Sequence, residues 1–257
     1  MAINLQHFKR EVNTLNSKIL KQTYYQFDLS NSNSMIKAFI NDETRKRLLS
    51  LKDKIETFPE LDTVLKKELT RDVLYIGSEC ERLAVIDIEK EYRSIKKILT
   101  NEYVQLIRVN PPTIPSLLDK WDKTKPEIVF FSCHGDKFSL FLNDDEGDCV
   151  QFLNTDLITF LEARSNYTEC VVLSACESLT IAELIAGAGK NVIAVNKKVD
   201  IKTATKFNKY FLQYINNHSL GYSHVYREAF NYSQEIIRYK GLEDSFAFEF
   251  ISGNKIG

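Results

Sequence analysis

The chain has 257 residues, 44% of them hydrophobic and 27% charged, which suits a globular protein with one sizeable core. Its 34 Lys and Arg residues balance 35 acids for a net charge of −1, so no bulk attraction to nucleic acid or membrane follows. No apolar run approaches the ~18 residues of a membrane span, and residues 1–10 lack a basic start with an apolar signal core; a cytoplasmic location is expected.

Five cysteines are present, at 80, 133, 149, 170 and 176. The odd number and the lack of any Cys-x-x-Cys pair argue against a disulfide framework or a zinc site. Cys133 and Cys170 lie in or beside apolar runs, where a free thiol acts as a small hydrophobe. Four histidines without carboxylate spacing around them give no metal signal. No metal and no cofactor is expected.

Residues 1–76 contain no glycine. Leu5, Phe8, Val12, Leu15 and Ile19 recur at alternating three- and four-residue spacings, one face of a helix. Ser30 to Ser34 read as a loop, and further helices are expected over 42–57 and from Pro59 to about Leu69. Residues 1–70 are therefore expected to form a helical extension with a docking or regulatory role beside a domain of residues 71–257, the alternative being that they pack as part of that single domain.

That second part opens with a buried-type strand, 73–77. Ile88, Tyr92, Ile95 and Leu99 share a helical face, and 104–109 is the next strand. Pro111, Pro112 and Pro115 require a loop, followed by a short helix from Ser116 to Trp121. The apolar run from Ile128 ends in Ser132-Cys133-His134-Gly135. Residues 138–142 and 149–153 flank an acidic turn and read as a hairpin. A helix is expected over 156–164. A second apolar run, Val171-Val172-Leu173-Ser174-Ala175, ends in Cys176. Then follow a helix over 181–189, a strand over 191–196, helices near 204–218 and 223–239, and an alternating final strand over 246–251. This β-α-β rhythm points to a mostly parallel sheet covered on both faces.

Active sites of open parallel sheets form beyond the carboxyl ends of the strands. Strands ending in His134 and Cys176 would place an imidazole beside a thiol, the requirement for a cysteine nucleophile with a general base. A helix starting after Cys176, capped by Ser178 or Thr180, would add positive potential near the sulfur. Asp136 is a candidate to orient the imidazole or shape the pocket. Glu177 is a candidate for the same surroundings, or simply an acid favoured by the helix dipole. Asp136, the 144–148 turn and Asp200 are acids that could favour a basic side chain in a substrate, or solvated turn residues. His7, His218 and His224 lack such context. Gly187 and Gly189 precede their strand, so no dinucleotide cradle forms.

The Ser132-Cys133-His134-Gly135 and Leu173-Ser174-Ala175-Cys176-Glu177-Ser178 stretches, with the elements after them, resemble the CHAT group of caspase-like cysteine peptidases, in the clan of caspases, separases and gingipains. The likeness runs over about 72–253. It implies a three-layer α/β/α sandwich around a mostly parallel six-stranded sheet, with a hairpin insertion near 138–153. It implies a cysteine endopeptidase, a thiol protease, with a His134–Cys176 dyad and an oxyanion hole made by the backbone N–H groups of Gly135 and Cys176. It also implies a dedicated protein substrate, an activating protein partner, here through the N-terminal helices, and an effector role in bacterial defence or regulated death. The arginine-bearing motif of caspases proper is absent, Glu177 following the cysteine. The alternative is a catalytically silent caspase-like interaction module, disfavoured because both reactive residues are present.

Overall fold

Runs such as Ile128-Val-Phe-Phe and Val171-Val-Leu carry no polar alternation, so both faces of each strand need cover. A computed structural model describes residues 70–80, 83, 86–99, 104–164, 167–218, 225–242, 244 and 246–253. In chain order the elements are β1 (Arg71–Gly77), α1 (Ile88–Ile98), β2 (Val104–Arg108), α2 (Ile114–Thr124), β3 (Ile128–Ser132), β4 (Ser139–Asn143) and β5 (Cys149–Leu153). They continue with α3 (Asn154–Ala163), β6 (Cys170–Ser174), α4 (Leu179–Gly187), β7 (Asn191–Val195), α5 (Ile201–His218), α6 (Val225–Tyr239) and β8 (Phe248–Ile251). The expected helices within 1–69 lie outside the described residues, and with them all of the 1–70 extension except Thr70.

Six strands form one sheet in the order β2-β1-β3-β6-β7-β8. All pairs are parallel except β7–β8, which is antiparallel. Alternate residues of each strand enter two separate apolar layers. Val73, Tyr75, Phe130, Val172 and Ile193 pack with residues of α1, α5 and α6. Leu74, Ile76, Val129, Phe131, Leu173 and Ala194 pack with residues of α2, α3 and α4. The result is the three-layer α/β/α sandwich with a mostly parallel six-stranded sheet that the resemblance implied.

Local chemistry explains most boundaries. Helix α2 starts earlier than expected: Pro115 lies in its first turn, where a missing N–H breaks no helical bond. The Thr113 hydroxyl caps it by accepting from the Ser116 N–H at 3.3 Å. Gly241, at φ 62°, ends α6; its N–H donates to the Arg238 carbonyl and that of Leu242 to the Ile237 carbonyl. Ser223, the expected cap of α6, lies outside the described residues. The hairpin forms as expected, β4 and β5 pairing antiparallel as a two-stranded sheet.

The cysteine reading needs one correction. Cys80 and Cys149 form a disulfide, 69 residues apart in sequence. The hairpin folds back on the end of β1, where the Ser78 hydroxyl donates to Asn143 Oδ1 at 2.6 Å and Asn143 Nδ2 donates to the Glu79 carbonyl at 3.1 Å. That approach brings Cys149 to Cys80, and no local spacing of cysteines announces it. Cys133 and Cys170 are free and buried, as expected.

The Phe130 side chain is fully buried and stacks on Tyr75 with ring centroids 5.7 Å apart. Phe130→Ala is expected to destabilise the fold by about 3–5 kcal/mol, read as a lower urea midpoint with an unchanged slope.

Candidate active site

Strand β3 ends at Ser132 and β6 at Ser174, and these two residues are partners across the parallel ladder. His134 and Cys176 each follow two residues later. Equal offsets from paired residues put them at one level, beyond the carboxyl ends of neighbouring strands. The next residues meet directly. A Cβ added to Gly135 would lie 3.0 Å from the Ala175 Cβ and 3.2 Å from the Cys176 carbonyl oxygen. The His134 loop is thus packed on the Cys176 loop, and a side chain at 135 would fit only if its neighbours gave way by a few tenths of an ångström. Both His134 and Cys176 are half-buried, within reach of solvent.

The backbone around His134 is held by β4. The Phe141 N–H donates to the His134 carbonyl at 2.9 Å, and the Asp136 N–H to the Ser139 carbonyl at 3.0 Å. These bonds flank an antiparallel bridge between Gly135 and Leu140. In such a non-hydrogen-bonded pair the N–H points away from the partner strand. The Gly135 N–H is therefore aimed out of the ladder. Asp136 builds the same loop: its Oδ1 accepts from the Phe138 and Ser139 N–H groups, both at 2.8 Å, and from the Ser139 hydroxyl at 3.1 Å.

On the other side, the chain turns sharply after the cysteine. Glu177 is exposed and sits at φ 55°, a left-handed conformation uncommon for a residue with a side chain. Ser178 is fully buried and occupies the N-cap position of α4, but its hydroxyl does not cap the helix. It accepts instead from the Val195 N–H at 3.1 Å, while the Ser178 N–H donates to the Val195 carbonyl at 2.9 Å. The expected side-chain cap by Ser178 is replaced by a clamp onto the end of β7. Helix α4 spans Leu179–Gly187, starting and ending two residues earlier than the expected 181–189.

The three free thiols differ. Burial pushes the Cys133 thiol up to about 12, the Phe141 N–H opposing the shift and nearby Cys176 adding to it. Burial likewise raises Cys170, the Glu169 charge adding to the shift and Arg71 opposing it. Both behave as buried hydrophobes, whereas Cys176 reaches the surface.

Two residues of this region escaped the sequence reading. Glu91 on α1 is buried, its Oε2 accepting from the Ser132 hydroxyl and its Oε1 from Asn208 Nδ2, each at 2.9 Å. Asn208 on α5 also donates to the Ser174 hydroxyl at 2.8 Å. The signal was present: Glu91 interrupts the Ile88, Tyr92, Ile95 stripe, and Asn208 interrupts the Phe207, Phe211, Ile215 stripe. Burial raises the Glu91 carboxyl above the usual carboxylate range, against the lowering by its Asn208 and Ser132 bonds.

A cavity of about 480 Å³ lies at the ends of β1 and β2, lined by Gly77, Arg108, Pro112 and the 144–147 turn among others. Several of its acids have local partners. Glu79 Oε1 accepts from the Ile88 N–H at 2.8 Å, and Asp144 Oδ1 from the Asp148 N–H at 2.7 Å. Asp200 Oδ2 accepts from the Thr203 N–H at 3.1 Å, at the start of α5. His218 is exposed and stacks on Tyr214; His7 and His224 lie outside the described residues. Among the described residues, no three His, Cys, Asp or Glu side chains gather as metal ligands, and no helix is long and apolar enough to cross a membrane.

A mostly parallel six-stranded sandwich with His and Cys past neighbouring strand ends defines a caspase-like architecture. Residues 40–229, well over half of the chain, match the CHAT domain, and the chain belongs to this family of caspase-like peptidases. The match begins inside the stretch read as a helical extension. No curated protein matches the chain.

Two expectations follow. Gly135→Ala should push the two loops apart, costing about 1–3 kcal/mol as overpacking does and slowing alkylation of Cys176; thermal unfolding and thiol labelling read the two effects. Glu91 has a raised folded pKa, so its contribution to stability is full below the unfolded value and is lost as pH rises through the folded one. Glu91→Gln, which cannot ionise, should therefore gain in Tm relative to wild type as pH is raised from 4 towards neutrality.

Proposed function

We propose that this CHAT protein is a cysteine endopeptidase in which Cys176 is the nucleophile and His134 the general base and acid. His134 takes the proton from Cys176 Sγ, and the thiolate adds to the scissile carbonyl. The backbone N–H groups of Gly135 and Cys176 receive the developing oxyanion; such donors typically lower the barrier by a few kcal/mol. His134 then returns the proton to the leaving amine, giving a thioester that water hydrolyses. The observation that carries this reading is the packing of Gly135 on Ala175 and the Cys176 carbonyl, which joins the two loops at adjacent strand ends. The outward Gly135 N–H and the accessible Cys176 support it.

In this reading the substrate is a specific protein. An activating protein partner docks through the N-terminal segment within 1–70, and the enzyme acts in the cytoplasm as an effector of bacterial defence or regulated death. No metal or cofactor takes part. The balance against a silent interaction module rests on the paired reactive residues.

The test is labelling of Cys176 by a peptidyl acyloxymethyl ketone, with cleavage-site mapping on a peptide library. Wild type is expected to label and cleave. Cys176→Ala should do neither while keeping its Tm, because the change removes little volume. His134→Ala should lower the rate by ~10²–10⁴-fold and remove the imidazole limb of the pH–rate profile. Wild-type Cys176 that labels no faster than a free thiol, or a Cys176→Ala chain that still cleaves, would replace the enzyme with the interaction module.

A further inference from the structure

Glu91 is the one acid on the buried stripe of α1, between Ile88 and Ile95. It is 3% exposed, and no cation pairs with it among the described residues. An apolar side chain of its volume would fill that place at lower cost, since a buried carboxyl must be desolvated and then hydrogen-bonded. What it touches suggests why it is there. One oxygen accepts from Ser132 at the end of β3, two residues before His134. The other accepts from Asn208, whose Nδ2 also donates to Ser174 at the end of β6, two residues before Cys176. Asn208 is fully buried.

The β3–β6 ladder ends at Ser132 and Ser174. Beyond it the backbones part, one to the hairpin and the other to α4. Gly135 and Ala175 hold the loops together on the side of α2, α3 and α4, where Ala175 and Leu140 pack. On the opposite face the Glu91 and Asn208 side chains tie the two serines to the helix layer. The buried Tyr75 hydroxyl lies near Ser132 and Glu91.

We propose that Glu91 and Asn208 are positioning residues that brace the ends of β3 and β6 from beneath and so set the spacing of His134 and Cys176. The inference rests on the dyad of the preceding section. Proton transfer between imidazole and thiol depends steeply on their separation, and a displacement near 1 Å can cost about a hundredfold in rate. A brace on both strand ends constrains that separation more tightly than the ladder alone.

The test uses the full-length chain and iodoacetamide, which alkylates any accessible thiolate whether or not the protein is a peptidase. Cys176 alkylation is followed by mass spectrometry against pH, with and without His134→Ala, in wild type, Glu91→Gln, Glu91→Leu and Asn208→Ala. In wild type His134→Ala should slow the reaction near neutrality, because a neighbouring imidazolium favours the thiolate. Glu91→Gln can accept from Asn208 through its amide oxygen and donate to the Ser132 hydroxyl through its amide nitrogen, and should keep that factor. In Glu91→Leu and Asn208→Ala the factor should shrink towards one, although thermal unfolding shows each chain folded. A full His134 effect in folded Glu91→Leu and Asn208→Ala overturns the proposal. If Glu91→Leu does not fold, Asn208→Ala decides by itself. A His134→Ala change without effect in wild type fails the dyad reading instead, at a step before any Glu91 variant is compared, and the positioning role falls with it.

Discussion

The parallel pairing of β3 with β6, from Ile128↔Cys170 to Ser132↔Ser174, is the constraint on which the site depends. All five residues of β3 are buried, as are four of the five in β6. Such strands have no solvent face to accommodate an error. A slip of one residue would send Phe130 and Val172 into the wrong helix layer and move Cys176 to the opposite side of the sheet. The face of the sheet on which each of these residues lies is therefore set by the fit of two apolar layers.

The sheet carries buried polar groups at both ends of these strands and none in the middle. At the amino ends, Arg71 donates to the Tyr226 hydroxyl at 2.9 Å and lies 3.4 Å from Glu169 and 3.8 Å from Glu127. Burial opposes the Arg71 charge, but Tyr226, Glu127 and Glu169 outweigh it and hold the guanidinium protonated. This cluster ties the start of β1 to the residues preceding β3 and β6 and to α6. At the carboxyl ends the Glu91 and Asn208 group performs the equivalent linkage with α1 and α5. Apolar layers alone tolerate sliding along the strand direction more readily than across it. Directional hydrogen bonds at each end oppose that sliding, which is the use best attested for buried polar groups.

Much of this was legible in the chain. Strands were readable because Val, Ile and Phe cluster in runs of four or five with polar or small residues at their ends, and the helices because stripes such as Phe207, Phe211 and Ile215 recur at helical spacing. The His134 and Cys176 positions stood out as reactive residues closing such runs. What was not legible depends on long-range approach. The Cys80–Cys149 bond needs the hairpin to fold onto β1. The Asp200 carboxylate reads equally as a pocket acid or a turn residue until it is seen bonded at the start of α5. Ser178 reads as a helix cap, yet β7 offers it a better partner. Glu91 and Asn208 were visible only as interruptions of apolar stripes, and an interruption names no partner. The 1–69 segment, outside the described residues, leaves the expected extension as sequence pattern.

Cys176 is also held by the strained turn that follows it. Glu177 occupies a left-handed conformation that costs about 1 kcal/mol or more for a residue with a Cβ. The turn does not relax because Ser178, the next residue, is bonded through both its N–H and its hydroxyl to Val195. Ala175, on the other side, is packed against the Gly135 loop. The cysteine is thus gripped one residue before and two residues after, with its side chain at the surface. Asp136, the carboxylate nearest in sequence to His134, builds the loop through three local hydrogen bonds to one of its oxygens. The backbones that carry the two reactive residues are accordingly held by packing and by hydrogen bonds on either side of each.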